Sequence, residues 1–333
     1  MQRCSLILLI GLSMLGSTAS AEEELLVYSG RKPKFIQPVI DEFTRTTGIK
    51  VKLQSGNSSY LLNLLSMQHE STDVDVYISN DAGNLERGNS LELFQALPDR
   101  LVSSVPANLR GMNNHWVGLS GRSRVLVVNS QSPLANSISS IQDLAKPQLK
   151  NRLGLTNSEN ESFIAGVTVY MRSLGEQKMM QWLKAVKDNT GGKVYKKHSD
   201  IVDVVAKGEK DVGLVNHYYV YHYLKKHPSA PIKIILPDHK ASDMGVAWNV
   251  SGVAISRYTK QTPAAVKFLE FLLSVKGQEM FSHVNLEYPV RNDVAVSKGI
   301  PERSSYHIAN IKMADIGLYR EQTIKMFHLI SMP

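Results

Sequence analysis

Apolar and polar positions alternate in short blocks along the chain. Leu25-Leu26-Val27-Tyr28-Ser29-Gly30 is an apolar run closed by a turn pair, which predicts a buried strand. Phe35, Ile36, Val39, Ile40 and Phe43 then recur at helical spacing, and Thr47-Gly48 stops that helix before a second strand over Ile49 to Leu53. Strand, helix and strand in that order imply a parallel pair. Tyr60 to Met67 predicts a further amphipathic helix, and Val74 to Ile78 a strand ending in Ser79-Asn80-Asp81. Arg124 to Asn129, Arg152 to Leu155, Val212 to Val215, Ile232 to Leu236 and Val250 to Ile255 read as strands. Ile141 to Leu144, Met179 to Val186, Ala264 to Leu273 and Gly277 to Phe281 read as helical, and the last thirty residues as one more amphipathic helix.

Helices alternating with short apolar strands make the class α/β, and the number of strands suggests two sheets in two lobes. In open α/β sheets a ligand sits beyond the carboxyl ends of the strands. Polar clusters fall at four such ends: Ser29 to Lys32, Ser79 to Asp81, Thr156 to Ser162, and Asn216 to Tyr219. Their convergence predicts one interlobe cleft.

The first residues change the picture. Met1-Gln2-Arg3, an uncharged apolar stretch from Leu6 through Leu15, and Ala19-Ser20-Ala21 have the layout of an export signal cleaved after Ala21, giving a mature start at Glu22. The stretch is shorter than the roughly 20 apolar residues a bilayer span needs. Cys4, the one cysteine, precedes the apolar stretch instead of ending it, so the mature chain is expected to be cysteine-free and not lipidated there. Without Arg3 the chain carries 37 basic and 30 acidic residues, a net +7. The excess is scattered, with small clusters at Lys193-Lys196-Lys197 and Lys225-Lys226 that lack the one-faced, aromatic-interleaved pattern of a nucleic-acid binder.

Signatures of catalysis are absent: no phosphate-cradling glycine loop, no nucleophile elbow, no His-Glu-x-x-His and no thiol in the mature chain. An exported hydrolase would therefore lack a recognisable nucleophile and base. His217, His222 and His227 stand five apart, off a common helical face, and most of the ten histidines read as surface residues. The outlying feature is Asn216-His217-Tyr218-Tyr219-Val220-Tyr221-His222-Tyr223, four tyrosines opening a helix after a buried strand. Asn216 is a natural N-cap. Tyr221 and Tyr223 suit core packing, whereas Tyr218 and Tyr219, at the strand end, are open to two readings: packing, or two phenol oxygens converging on one point of the cleft. A phenolate is a hard anionic donor suited to a small, highly charged cation such as ferric iron, which lowers the phenol's pKa from about 10.

The mature chain resembles the periplasmic ferric-iron-binding proteins, the substrate-binding components of iron(III) ABC importers within the extracellular solute-binding superfamily. The residues that carry this are Val27-Tyr28-Ser29-Gly30-Arg31, Phe43 to Val51, Asp73 to Leu85, Gly118 to Val125, Asn216-His217-Tyr218-Tyr219, Asn249-Val250-Ser251-Gly252 and Asn285 to Val290. The resemblance implies a two-lobed periplasmic binding protein fold with an interlobe cleft and a strand hinge. The lobes would be 22–122 with 254–285, and 123–253 with 286–333, with hinge strands near Ser123 to Val128 and Val250 to Ile255.

It implies no enzyme activity, Fe3+ as cargo, an inner-membrane ABC permease as partner, a monomer and a periplasmic location. It assigns Tyr218 and Tyr219 as phenolate ligands and puts Glu159 where many members have a third tyrosine, with Glu161 the neighbouring candidate. The first lobe departs from the pattern. Lys32-Pro33 stand where some relatives have a histidine-tyrosine pair, and Asn80, beside Asp81, stands where others have a glutamate. Relatives without first-lobe ligands use a small anion such as carbonate, for which Arg31, with Arg124 as second choice, offers a planar donor fork. A rival cargo is an organic or phosphorylated anion held by Arg31, Lys32 and helix amides.

Overall fold

The computed structural model describes residues 24–333, and the expected export signal with its cleavage after Ala21 lies outside the described residues. The strands are β1 (Glu24–Ser29), β2 (Lys50–Ser55), β3 (Val76–Ser79), β4 (Val117–Asn129), β5 (Leu153–Gly154), β6 (Val212–Asn216), β7 (Ile232–Ile235), β8 (Trp248–Ile255) and β9 (Tyr288–Pro289). The helices are α1 (Pro33–Thr47), α2 (Ser58–Gln68), α3 (Ala82–Ser90), α4 (Asp99–Val102), α5 (Glu161–Leu174), α6 (Glu176–Thr190), α7 (His198–Ala206), α8 (His217–Lys226), α9 (Thr262–Leu273), α10 (Val275–Asn285), α11 (Met313–Leu318) and α12 (Arg320–Leu329).

The strands follow one path, β2-β1-β3-β8-β4-β6-β5, with β7 and β9 pairing to β4. β1 runs parallel to β2 and β3, as the strand-helix-strand order predicts. Helix α1 ends where expected: Gly48 takes a left-handed φ of 77° and its N–H donates to Thr44 O at 2.9 Å.

Two lobes arise from β4, whose thirteen residues are all buried. Val117–Ser123 lie against β8, whereas Arg124–Val128 lie against β6, so the strand changes partners between Ser123 and Arg124. In its second half, side chains alternate between two cores: Leu126 and Val128 join one, Val125 and Val127 the other with Ile201, Val202 and Val220. Both faces are covered, which suits a nearly continuous apolar run. The expected boundary at 253/254 falls inside β8, whose Trp248–Val253 pair with Val117–Ser123.

The C-terminal segment departs from expectation, forming α11 and α12 instead of one helix. Gly317 lets α11 press on α3, where a Cβ would stand 2.4 Å from Glu86 Cβ, while α12 packs on α5. Among the described residues no helix is long and apolar enough to cross a membrane.

Candidate functional site

The four polar strand ends do converge. They line a cavity of about 460 Å³ with Gly30, Arg31 and Lys32 after β1, Asn80 after β3, Asn157 and Glu159 to Ser162 before and into α5, and Tyr218 and Tyr219 after β6. Gly30 is required there, since a Cβ would meet Ser58 Oγ at 2.1 Å.

Tyr218 and Tyr219 open α8, and their rings stand 4.5 Å apart, tilted 34°. The Tyr219 phenol is pushed well above its ordinary pKa, first by the neighbouring Tyr218 and then by burial, against the opposing pull of Arg122. Tyr219 therefore gives up its proton only to a cation able to offset the charge left behind. Tyr221 and Tyr223 are half-buried in packing. Among the described residues no three His, Cys, Asp or Glu side chains cluster as a metal site.

Asn216 does not cap α8 with its side chain. Its Oδ1 accepts from Arg124 Nη1 at 3.0 Å, and its Nδ2 donates to Ser162 Oγ at 3.1 Å and reaches Tyr218 Oη at 3.4 Å. Nor are the histidines uniformly superficial. His217 is buried, with Nδ1 accepting from Ser123 N and Nε2 donating to Leu286 O at 2.9 Å, which fixes one tautomer; burial holds it at a pKa of about 4. His198, the first residue of α7, is 4% exposed, lines the cavity 5.1 Å from the Tyr219 ring, and has no partner at either nitrogen. Burial, then Arg124 and Arg122, push its pKa well below the ordinary value and keep the ring neutral.

The two glutamates part company. Glu159 is exposed and lines the cavity. Glu161, half-buried at the start of α5, reaches across the cleft, its Oε1 accepting from Ser59 N at 3.3 Å, Ser59 Oγ at 3.2 Å and Asn84 Nδ2 at 3.0 Å. Burial and nearby Asp81 raise its pKa. Asn80 lines the cavity with its amide donating to Gly30 O. Asp81 is buried away from it, accepting from Asn249 Nδ2 at 2.9 Å and pairing with Arg320 at 3.2 Å.

The arginines differ from expectation. Arg31 reaches the cavity, but Nη2 pairs with Glu287 at 2.6 Å, and Nη1 donates to Ser251 Oγ at 2.7 Å and Ser120 Oγ at 3.2 Å. Burial alone would raise the Glu287 carboxyl; Arg31 and Arg122 overcome it and hold the carboxyl below its usual range. Arg124 lies behind the tyrosines, bonded to Asn216 and Leu214 O, with its pKa lowered to about 10 by burial; it does not line the cavity. Arg122, not singled out in the sequence, does line it.

Comparison with known proteins adds to this geometry. The profile of the family described as bacterial extracellular solute-binding protein matches residues 25–283. The "Major ferric iron-binding protein" of Neisseria meningitidis is 30% identical over 286 residues, covering 84% of this chain and 85% of that one. The ferric binding protein from Campylobacter jejuni superposes with a TM-score of 0.87 at 25% identity, covering 93% of this chain and 100% of the other. A Trichodesmium protein solved with iron and citrate ligands gives 0.83 at 26% identity, with the same coverages.

Proposed function

The chain belongs to the bacterial extracellular solute-binding protein family, and from that premise we propose that it captures ferric iron in the periplasm and delivers it to an inner-membrane ABC permease. The observation that carries this reading is the pair of adjacent phenols lining a polar cavity. The iron-binding names of relatives that align along most of the chain support it. Tyr218 and Tyr219 would coordinate as phenolates and Glu159 as a carboxylate, three negative charges against the ion's three positive ones. Glu161, with an oxygen already engaged across the cleft, suits closure better than coordination.

The partner exchange in β4 supports a hinge at Ser123–Arg124, and the Arg124 N to Ala247 O bond supports a second crossing beside Trp248. The export signal would be cleaved after Ala21, leaving a periplasmic monomer. Ferric iron added to metal-free protein is expected to give a phenolate-to-iron absorption band in the visible. Tyr218→Phe combined with Tyr219→Phe should abolish it and lower affinity on the order of a thousandfold or more. A colourless wild-type complex overturns the reading.

A second reading, an organic or phosphorylated anion as cargo, draws on Lys32 and Asn80, which line the cavity where first-lobe ligands would be expected. Calorimetry against an anion panel in metal-free buffer separates the two, because only the second reading gives binding heat without iron.

A further inference from the structure

Arg124 is a buried cation without an anion. It is 2% exposed, and its bonds go to neutral acceptors: Nη1 donates to Asn216 Oδ1 at 3.0 Å, Nη2 donates to Leu214 O at 3.2 Å, and Nε has no partner. No carboxylate among the described residues pairs with it. Burial lowers its pKa to about 10, so it is still charged at neutral pH, and a buried charge left uncompensated is costly. The fold makes room for it nonetheless: a Cβ on Gly166 of α5 would stand 3.3 Å from Arg124 Nε. We propose that Arg124 is the buried counter-charge of the Tyr218 phenolate, a positioning residue that acts on the bound ferric ion through that phenolate without touching the ion. The inference rests on the ferric reading above.

Two phenols lie within reach of the guanidinium's charge, Tyr170 and Tyr218, and they are not equivalent. Tyr170 is wholly buried on α5, its Oη has no partner, and burial holds its pKa above the ordinary value, so it stays protonated at neutral pH. Tyr218 lines the cavity, where a cation can take the place of its proton. Asn216 joins the two charges: its Oδ1 accepts from Arg124, while its Nδ2 reaches Tyr218 Oη at 3.4 Å. One amide thus fixes the guanidinium and the phenol relative to each other. Arg124 itself does not line the cavity, so it faces the phenol from behind and not the ion. A positive charge in that place draws electron density from a coordinated phenolate, which lowers the phenolate's donor level and makes the ion easier to reduce. Arg124 therefore limits how strongly the site prefers ferric over ferrous iron, the property that governs release on reduction.

The test compares Arg124→Gln, which removes the charge and keeps a donor for Asn216, with Arg124→Lys, which keeps the charge, each loaded with ferric iron at one fixed pH. Arg124→Gln should move the phenolate-to-iron band to longer wavelength, because the donor level rises. It should also enlarge the preference for ferric over ferrous iron roughly tenfold, read as a bleaching potential about 59 mV lower in a mediated redox titration. Arg124→Lys should keep both close to wild type. A merely structural role would change stability or iron yield and move the two variants alike. Equal shifts in both variants, or a coloured Arg124→Gln with band and potential unmoved, overturn the proposal. If circular dichroism shows Arg124→Gln unfolded, Asn216→Asp supplies the carboxylate that the guanidinium lacks, and it must shift band and potential in the same directions; an unmoved band there overturns the proposal equally. A wild type that takes no colour overturns the ferric reading itself, whereas a coloured wild type whose Arg124→Gln variant is unshifted overturns only the counter-charge.

Discussion

The two walls of the cleft are built from different chemistry. The second lobe presents two phenols, the Glu159 carboxylate and an imidazole, with one ammonium, Lys196, beside them. The first lobe presents the Lys32 ammonium and the side-chain amides of Asn57 and Asn80. On the proposed reading, one wall would grip the cation and the other cover it, with capture on the second lobe preceding closure of the first.

Arg31 offers the strongest test of that division, since it sits on the first-lobe side yet is bonded to Glu287 and two serines. Removing one partner of a buried ion pair typically costs about 3–5 kcal/mol because the other charge is left uncompensated. Arg31→Met is expected to lower chemical-denaturation stability by about that much while the absorption maximum of the iron complex stays in place. A displaced maximum with unchanged stability would make Arg31 part of the ligand shell and erase the difference between the walls.

Acidification probes the second wall alone. The Tyr219 phenol, raised by Tyr218 and by burial, is protonated in the metal-free protein at neutral pH, and coordination needs it deprotonated. Binding therefore releases protons, and affinity falls as pH falls, by up to about tenfold per unit for each proton released. With two phenols involved, the drop from pH 7 to pH 6 approaches roughly a hundredfold in a chelator-competition titration. A pH-independent affinity in that range would remove the phenols from the shell.

How much of this was legible in sequence follows from the range of the forces involved. β1, α1, β6 and the opening of α8 were readable because a local apolar run handing over to a polar cluster is a local signal. The first half of β4 was not, because Gly118, Ser120, Gly121, Arg122 and Ser123 carry no strand signature. They are extended because β8 and β9 flank them, a tertiary fact. The same point decides which arginine of Arg122-Ser123-Arg124 meets the cavity: the strand changes partners there, leaving Arg122 at the cleft and Arg124 behind Asn216. His198 gave no sign either, for one polar residue opening a helix has no periodicity to betray it.

The finest distinction lies within the second wall, between Glu159 and Glu161. If Glu161 closes the cleft and Glu159 touches the ion, their variants should fail differently. Three donors of α2 and α3 meet a single Glu161 oxygen, so Glu161→Gln keeps an acceptor while Glu161→Ala loses it. Losing it should cost closure about 1–2 kcal/mol, weakening iron binding roughly fivefold to thirtyfold with the absorption maximum unmoved. X-ray scattering of the loaded Ala variant should show a more open particle. Glu159→Gln should instead shift the maximum, since a ligand has changed, and leave the scattering curve as it was. Should Glu161→Gln shift the band and Glu159→Gln leave it alone, the roles are reversed: the residue bridging to the first lobe would be the metal ligand, and the two walls would meet at the ion itself.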